Sequence, residues 1–280
     1  MPVKSGKFAA VNGISTMRQW QLNDTSTPKA FVASNTQGGT GRKKGNTDWT
    51  GSLGAYGGSP AHMPNDTFDF KGFTAPTDGA NGPTYKGNVM VDQVAIQWNW
   101  ENADIISHTL QFGSNGPLTE DVEAPTTDGT APNVPAIIGQ EVSIGTDDSG
   151  PAVILNVKSA ALTIKAAVKT YVNSSTDGVV QRVPGNIDWD ATVVVDECDF
   201  SEMPFTIGDD VLIRLPAGGD LYWELKWGIV SGFQNLQVDR ESNNIIGFTM
   251  HFEMNGFSDE DESVGHILLP GVEEPWWPTS

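Results

Sequence analysis

The chain has one cysteine, Cys198, so no internal disulfide can form and no cysteine-based metal site is available. No apolar run approaches the length of a membrane span. Residues 1–20 lack the apolar stretch that follows the basic end of a cleavable signal, so none is expected there. Basic side chains are scarce: 16 Lys and Arg stand against 35 Asp and Glu, a formal charge of −19. That balance disfavours tight duplex binding, which needs cations to displace counterions from phosphates. No two of His62, His108, His251 and His266 fall at metal-ligand spacing. Walker loops, dinucleotide fingerprints and nucleophile elbows are missing. The glycine-rich Gly38–Gly45 stretch lacks the Gly-Lys-Ser/Thr ending of a phosphate cradle and reads as a surface loop. Asp147-Asp148 and Asp209-Asp210 have no EF-hand spacing around them. The expectation is a protein that is not an enzyme, with no catalytic residue, cofactor or metal.

What is plentiful is glycine (31), proline (17) and tryptophan (9), with 38% hydrophobic residues. This is enough apolar surface for real cores and favours short strands and many turns over long helices. Leu162 and Ile164 alternate with polar residues, and Val193–Val195 and Val211–Ile213 are short β-branched runs. Lys86 to Gln97 and Ile105 to Phe112 read as an antiparallel pair. One short helix is expected near Ser201 to Ile207, with a counterpart in the first half.

The most informative feature is internal. Gly45-Asn46-Thr47-Asp48-Trp49 returns as Gly185-Asn186-Ile187-Asp188-Trp189, 140 residues later. Met63-Pro64 returns as Met203-Pro204, and Phe112 with Asn115-Gly116 returns as Phe252 with Asn255-Gly256, at the same offset. Arg42 matches Arg182. About a quarter of positions agree between residues 14–121 and their counterparts, with no gap, which fits a duplicated domain. The expected organisation is a first domain over 1–116, a Pro/Thr/Asp-rich connector over 117–150, a second domain over 151–258 and an acidic tail over 259–280. Each domain is expected to be a small antiparallel β-sandwich or barrel with at most a short helix. Trp49 and Trp189 are expected to anchor the cores with Phe112 and Phe252, and Asp48 and Asp188 to satisfy turns. Charge is uneven: residues 1–116 carry 9 basic and 8 acidic side chains, whereas residues 151–258 carry 7 and 14.

Tyr85-Lys86-Gly87 opening a strand, followed by a strand that ends Phe112-Gly113-Ser114-Asn115-Gly116, resembles the C-terminal hairpin of tail tube proteins of long-tailed bacteriophages. Asp48-Trp49-Thr50-Gly51-Ser52-Leu53 resembles their Trp-Thr/Ser-Gly-Ser strand. The second copy departs from the pattern, with Lys226-Trp227 after its tyrosine position and Asp190-Ala191-Thr192 in place of Thr50-Gly51-Ser52. The resemblance implies a virion structural protein, assembled in the host cytoplasm. Three chains would close a homotrimeric, pseudo-hexameric ring, and rings would stack around a lumen through which DNA passes without specific binding during ejection. It also implies contacts with other tail proteins, such as tape measure, terminator and baseplate, and none with a membrane.

Four lumen strands from each of six domains would make roughly 24 strands and a backbone diameter of roughly 48 Å, wide enough for a duplex. An acidic wall is expected there, repelling phosphate. The basic loop with Arg42, Lys43 and Lys44 is expected to touch the next ring. The alternatives are a phage capsid decoration or head-surface protein, and a carbohydrate-binding adhesin module pair whose platforms would be Trp98 with Trp100 and Trp223 with Trp227.

Overall fold

The computed structural model describes residues 4–6, 8–10, 16–36, 39–74, 81–101, 105–125, 137, 140–146, 152–154, 156–196, 205–219, 221–234, 247–255 and 267–268. About two thirds of this is strand, 68%, with 1% helix. The first half carries β1 (Lys4–Gly6), β2 (Phe8–Ala10), β3 (Met17–Ser26), β4 (Lys29–Phe31), β5 (Gly41–Lys43), β6 (Thr47–Tyr56), β7 (Thr67–Phe73), β8 (Gly82–Asn99), β9 (Ser107–Ser114) and β10 (Thr119–Glu123). The second carries β11 (Val142–Gly145), β12 (Ala152–Ile154), β13 (Val157–Ala166), β14 (Lys169–Tyr171), β15 (Gln181–Val183), β16 (Ile187–Val195), β17 (Asp210–Gly218), β18 (Leu221–Gln234), β19 (Phe248–Met254) and β20 (Ile267–Leu268).

The antiparallel order β3-β6-β9-β8-β7 in the first half recurs as β13-β16-β19-β18-β17 in the second. Leu22 pairs with Gly51 and Gly51 with Phe112, just as Leu162 pairs with Ala191 and Ala191 with Phe252. These strands correspond at the offset of 140. Elsewhere the gapless register fails. The Asp66 carboxylate accepts the Met63 N–H at 2.7 Å, and Asp209 accepts the Thr206 N–H at 2.7 Å, an offset of 143 (209 − 66). Asn65 and Gly208, also 143 apart, share a positive φ of 78° and 96°, open to Gly and tolerated by Asn. A bulge interrupts β8 between Val91 and Gln93 and β18 between Val230 and Gly232, an offset of 139 (230 − 91). Of the expected Met63-Pro64 match, Met203-Pro204 lie outside the described residues.

The expected helix near Ser201 to Ile207 is not formed where it is described. Residues 205–209 are a turn, as are residues 63–66, because the aspartate side chains close these loops three residues on. The one helical turn among the described residues is Ser34–Thr36. Residues 117–150, expected as an extended connector, supply β10, which pairs with β8, and β11, which pairs with β17; Ile137 is buried. From the acidic tail, β20 pairs with β18.

The core follows from period-two alternation. In β16, Ile187, Trp189, Ala191, Val193 and Val195 all point inward. In β13, Leu162 and Ile164 do so. β7 is paired to β8 yet lays Phe70 edge-on to Trp20 of β3 at 5.6 Å and Phe68 edge-on to Phe112 of β9 at 5.7 Å. It thus folds back over the β3-β6-β9 face as a second layer. Trp49 is buried against Phe112 at 6.4 Å with its indole N–H donating to the Gly116 carbonyl at 2.9 Å; Trp189 and Phe252 are buried as well.

Candidate assembly interface

The long strand β8 builds the junction between the halves. β9 runs along one edge over Val89–Gln97. The other edge is divided: β7 takes Thr84–Met90 and β13 takes Gln93–Asn99. The handover falls at the bulge residue Asp92, where the ladder is interrupted and the strand can turn from one partner to the other. Because β13 begins the second half, the run β3-β6-β9-β8-β13-β16-β19-β18 passes through both halves without a break.

Side chains lock this junction. Trp98 donates its indole N–H to the Pro216 carbonyl at 2.6 Å, and Trp223 donates back to the Gly58 carbonyl at 2.5 Å. Trp100 donates to the Gln140 carbonyl at 2.9 Å. The Asn65 side chain donates to the Gly185 carbonyl at 2.9 Å and accepts the Gly185 N–H at 3.0 Å. Trp98 and Trp223 are fully buried. They are structural girders, and neither indole is exposed as the carbohydrate-binding alternative would require.

The charged part of the junction centres on Arg182. It sits in β15, on a hairpin with β14 that stands apart from the main sheet and reaches across to the first half. Its guanidinium is buried, donating to both Asp48 oxygens at 3.1 and 3.3 Å and to the Ser114 carbonyl at 2.8 Å, with Asp92 at 3.6 Å. It lies on Gly113, where any Cβ would come within 1.9 Å of the guanidinium carbon. Burial pushes the Asp92 carboxyl above its ordinary range; Arg182 pulls it down and Asp48 pushes it up. Asp48, expected to satisfy a turn, is instead the main acceptor for this arginine. Asp188 ion-pairs with Lys165 at 3.2 Å.

The matching residue Arg42 occupies β5, on the β4–β5 hairpin, and is exposed with Lys43 and Lys44. The Lys43 ammonium sits 5.9 Å from the Phe31 ring centre. The two hairpins are built alike. Thr36 Oγ1 accepts the Ala33 N–H and donates to its carbonyl, as Thr176 does with Asn173. Sequence comparison of the copies found Arg42 and Arg182. It missed what Arg182 grips, because those acceptors come from β6, β8 and β9 of the other half.

The outer face of the continuous run distributes charge unevenly. One cross-strand row reads Gln21, Ser52, Gln111, Gln93; the next reads Gln19, Gly54, Thr109, Ala95, Thr163. Neither carries a charge. The rows reach Lys165, Asp188, Asp190 and Glu253 only within the second half. These two rows are polar and neutral across the first half, where Arg18 stacks on Tyr56 and Asp48 lies opposite Thr25, and acid gathers on the second half.

No family model matches the chain. No curated protein matches it either.

Proposed function

We propose that the chain is a structural subunit of a ring-forming tube, three copies to a ring, of the kind that conducts DNA in a phage tail. The observation that carries this reading is the edge-to-edge pairing of β8 with β13. It makes one chain an eight-strand segment, β3 to β18, built from two halves of the same strand order. Repeating that joint between chains would remove the sheet edges that otherwise invite uncontrolled pairing. Three such segments give roughly 24 strands and a backbone diameter of roughly 48 Å. The Gln/Thr/Ser rows suit a lumen wall: they offer few cations to replace counterions on phosphate, and Lys165 is already paired with Asp188 and Asp190, so a duplex has little to hold it.

The test is negative-stain microscopy with mass measurement of the assembled protein. Three chains per ring with six-lobed projections, and stacks of such rings, are expected. A single-layer ring of six chains would overturn the two-domain arrangement. Monomers at every concentration, or knobs bound to capsid shells, would overturn the tube.

A further inference from the structure

We propose that the β4–β5 hairpin docks on the second half of another copy of this chain, with Arg42 gripping that copy's Asp188 and Glu253. The inference rests on the ring-forming reading and identifies the residues of its chain-to-chain contact. The template lies within the molecule: the β14–β15 hairpin delivers Arg182 to Asp48, Asp92, the Ser114 carbonyl and Asn115 of the preceding half.

Each element of that contact has a counterpart at the far end of the chain. Arg182 corresponds to Arg42, Asp48 to Asp188, Ser114 to Met254 and Asn115 to Asn255 at the offset of 140. Two positions change in a compensating way. Asp92 becomes Ser231, which removes a carboxylate. Gly113 becomes Glu253, which restores one, and because its Cβ takes the space that the guanidinium fills over Gly113, Arg42 would meet this carboxylate from further out than Arg182 sits in its own site. Both acceptor sites therefore present two carboxylates. Arg182 is buried in its site, whereas Arg42 is exposed and makes no ion pair among the described residues. Glu253 is likewise exposed without an ion pair among the described residues, and Asp188 is 52% exposed.

Charge and strand register agree with this pairing. The hairpin carries Lys29, Arg42, Lys43 and Lys44, and the receiving end carries Asp188, Asp190, Asp210 and Glu253 against Lys165. Opposite potentials of this kind steer encounter and fix register. Transferring the β8–β13 register to the chain ends sets Gly232 opposite Thr25 and Gln234 opposite Asn23 of the next copy. The full register would run along residues 19–25 of β3, and β1, which pairs there at Trp20–Leu22, would have to give way beyond Asn23. The contact is thus side to side within a ring, and Arg42 is assigned there in place of the contact between stacked rings.

The experiment is a charge swap read by sedimentation of the full chain. Arg42→Glu and Asp188→Arg are each expected to weaken assembly at least about tenfold, and the double variant to recover it. Both residues are exposed, and an unchanged thermal midpoint of the monomer shows that folding is intact. Parent protein that assembles in threes alongside an R42E variant of equal affinity would overturn this inference and leave the ring intact. So would two weakened single variants with no recovery in the double. Parent protein that never assembles would overturn the inference together with the reading beneath it.

Discussion

Arg182 holds both oxygens of the Asp48 carboxylate, at 3.1 and 3.3 Å, from a hairpin that follows it by more than a hundred residues. A bidentate guanidinium–carboxylate pair at a largely buried site is specific in geometry and costly to break. Arg182→Ala is expected to destabilise the protein by roughly 3 kcal/mol at neutral pH in urea unfolding. The loss should shrink as pH falls, because protonating Asp92, already pushed up by burial, removes a stranded charge. Gly113→Ala should destabilise by about 1–3 kcal/mol in the parent and by much less once Arg182 is alanine. Additive losses would mean that Gly113 is not shaped around the arginine.

The two indoles exchanged across the junction give a second test. Trp98→Phe and Trp223→Phe keep a ring in the core but leave the Pro216 and Gly58 carbonyls without their donors. Each change is expected to lower stability by about 1–3 kcal/mol in chemical denaturation. A loss within a few tenths of a kcal/mol would show that water replaces the indole.

Asn65 separates backbone strain from clamping. Its φ of 78° suits glycine, so Asn65→Gly retains the turn while deleting both bonds to Gly185. A destabilisation of about 1–2 kcal/mol is expected, with a further loss of about 1 kcal/mol for Asn65→Ala. Equal losses for the two variants would show that the turn places no demand on the backbone.

His108 predicts an acid-side weakness. Burial holds its imidazole below the ordinary value, against a smaller upward pull from the Gly57 carbonyl, 2.8 Å from Nδ1. The unfolded chain therefore binds a proton that the folded chain resists. Stability contributed by neutral His108 is present above the unfolded value near pH 6.5 and declines as pH falls below it. His108→Gln, whose amide can still donate to Gly57, should flatten the change in urea midpoint between about pH 7.5 and about pH 5.5. An unchanged slope would assign the weakness to other groups.

The strand alternation of β13 and β16 and the burial of Trp49, Trp189, Phe112 and Phe252 were legible because they are local or repeated. The offset of 140 was legible in β3, β6 and β9 because the differences between copies cancel. The loop before β17 is three residues longer than its counterpart, the β17–β18 hairpin four shorter, and the stretch leading to β19 one longer. A gapless comparison thus passes over β7 and β8, the strands that carry the layer fold-back and the junction. The fate of Asp48 was hidden for a different reason: its partner is distant in the chain and arrives only when two hairpins pack. The neutral rows of the first half were hidden by averaging, since a charge of −19 says nothing about which face bears it.

The β8–β13 joint has a kinetic consequence. Its two strands are tethered by one chain, so they meet at an effective concentration fixed by the connecting segment, on the order of millimolar for a short flexible link. That encounter is independent of how dilute the protein is. A contact between the outer edges of separate copies has no tether and obeys mass action. The molecule therefore arrives with its internal seam already closed, and in the ring proposed above only the seams between copies would answer to supply: dilution would dissolve it into whole chains and leave every β8–β13 ladder intact.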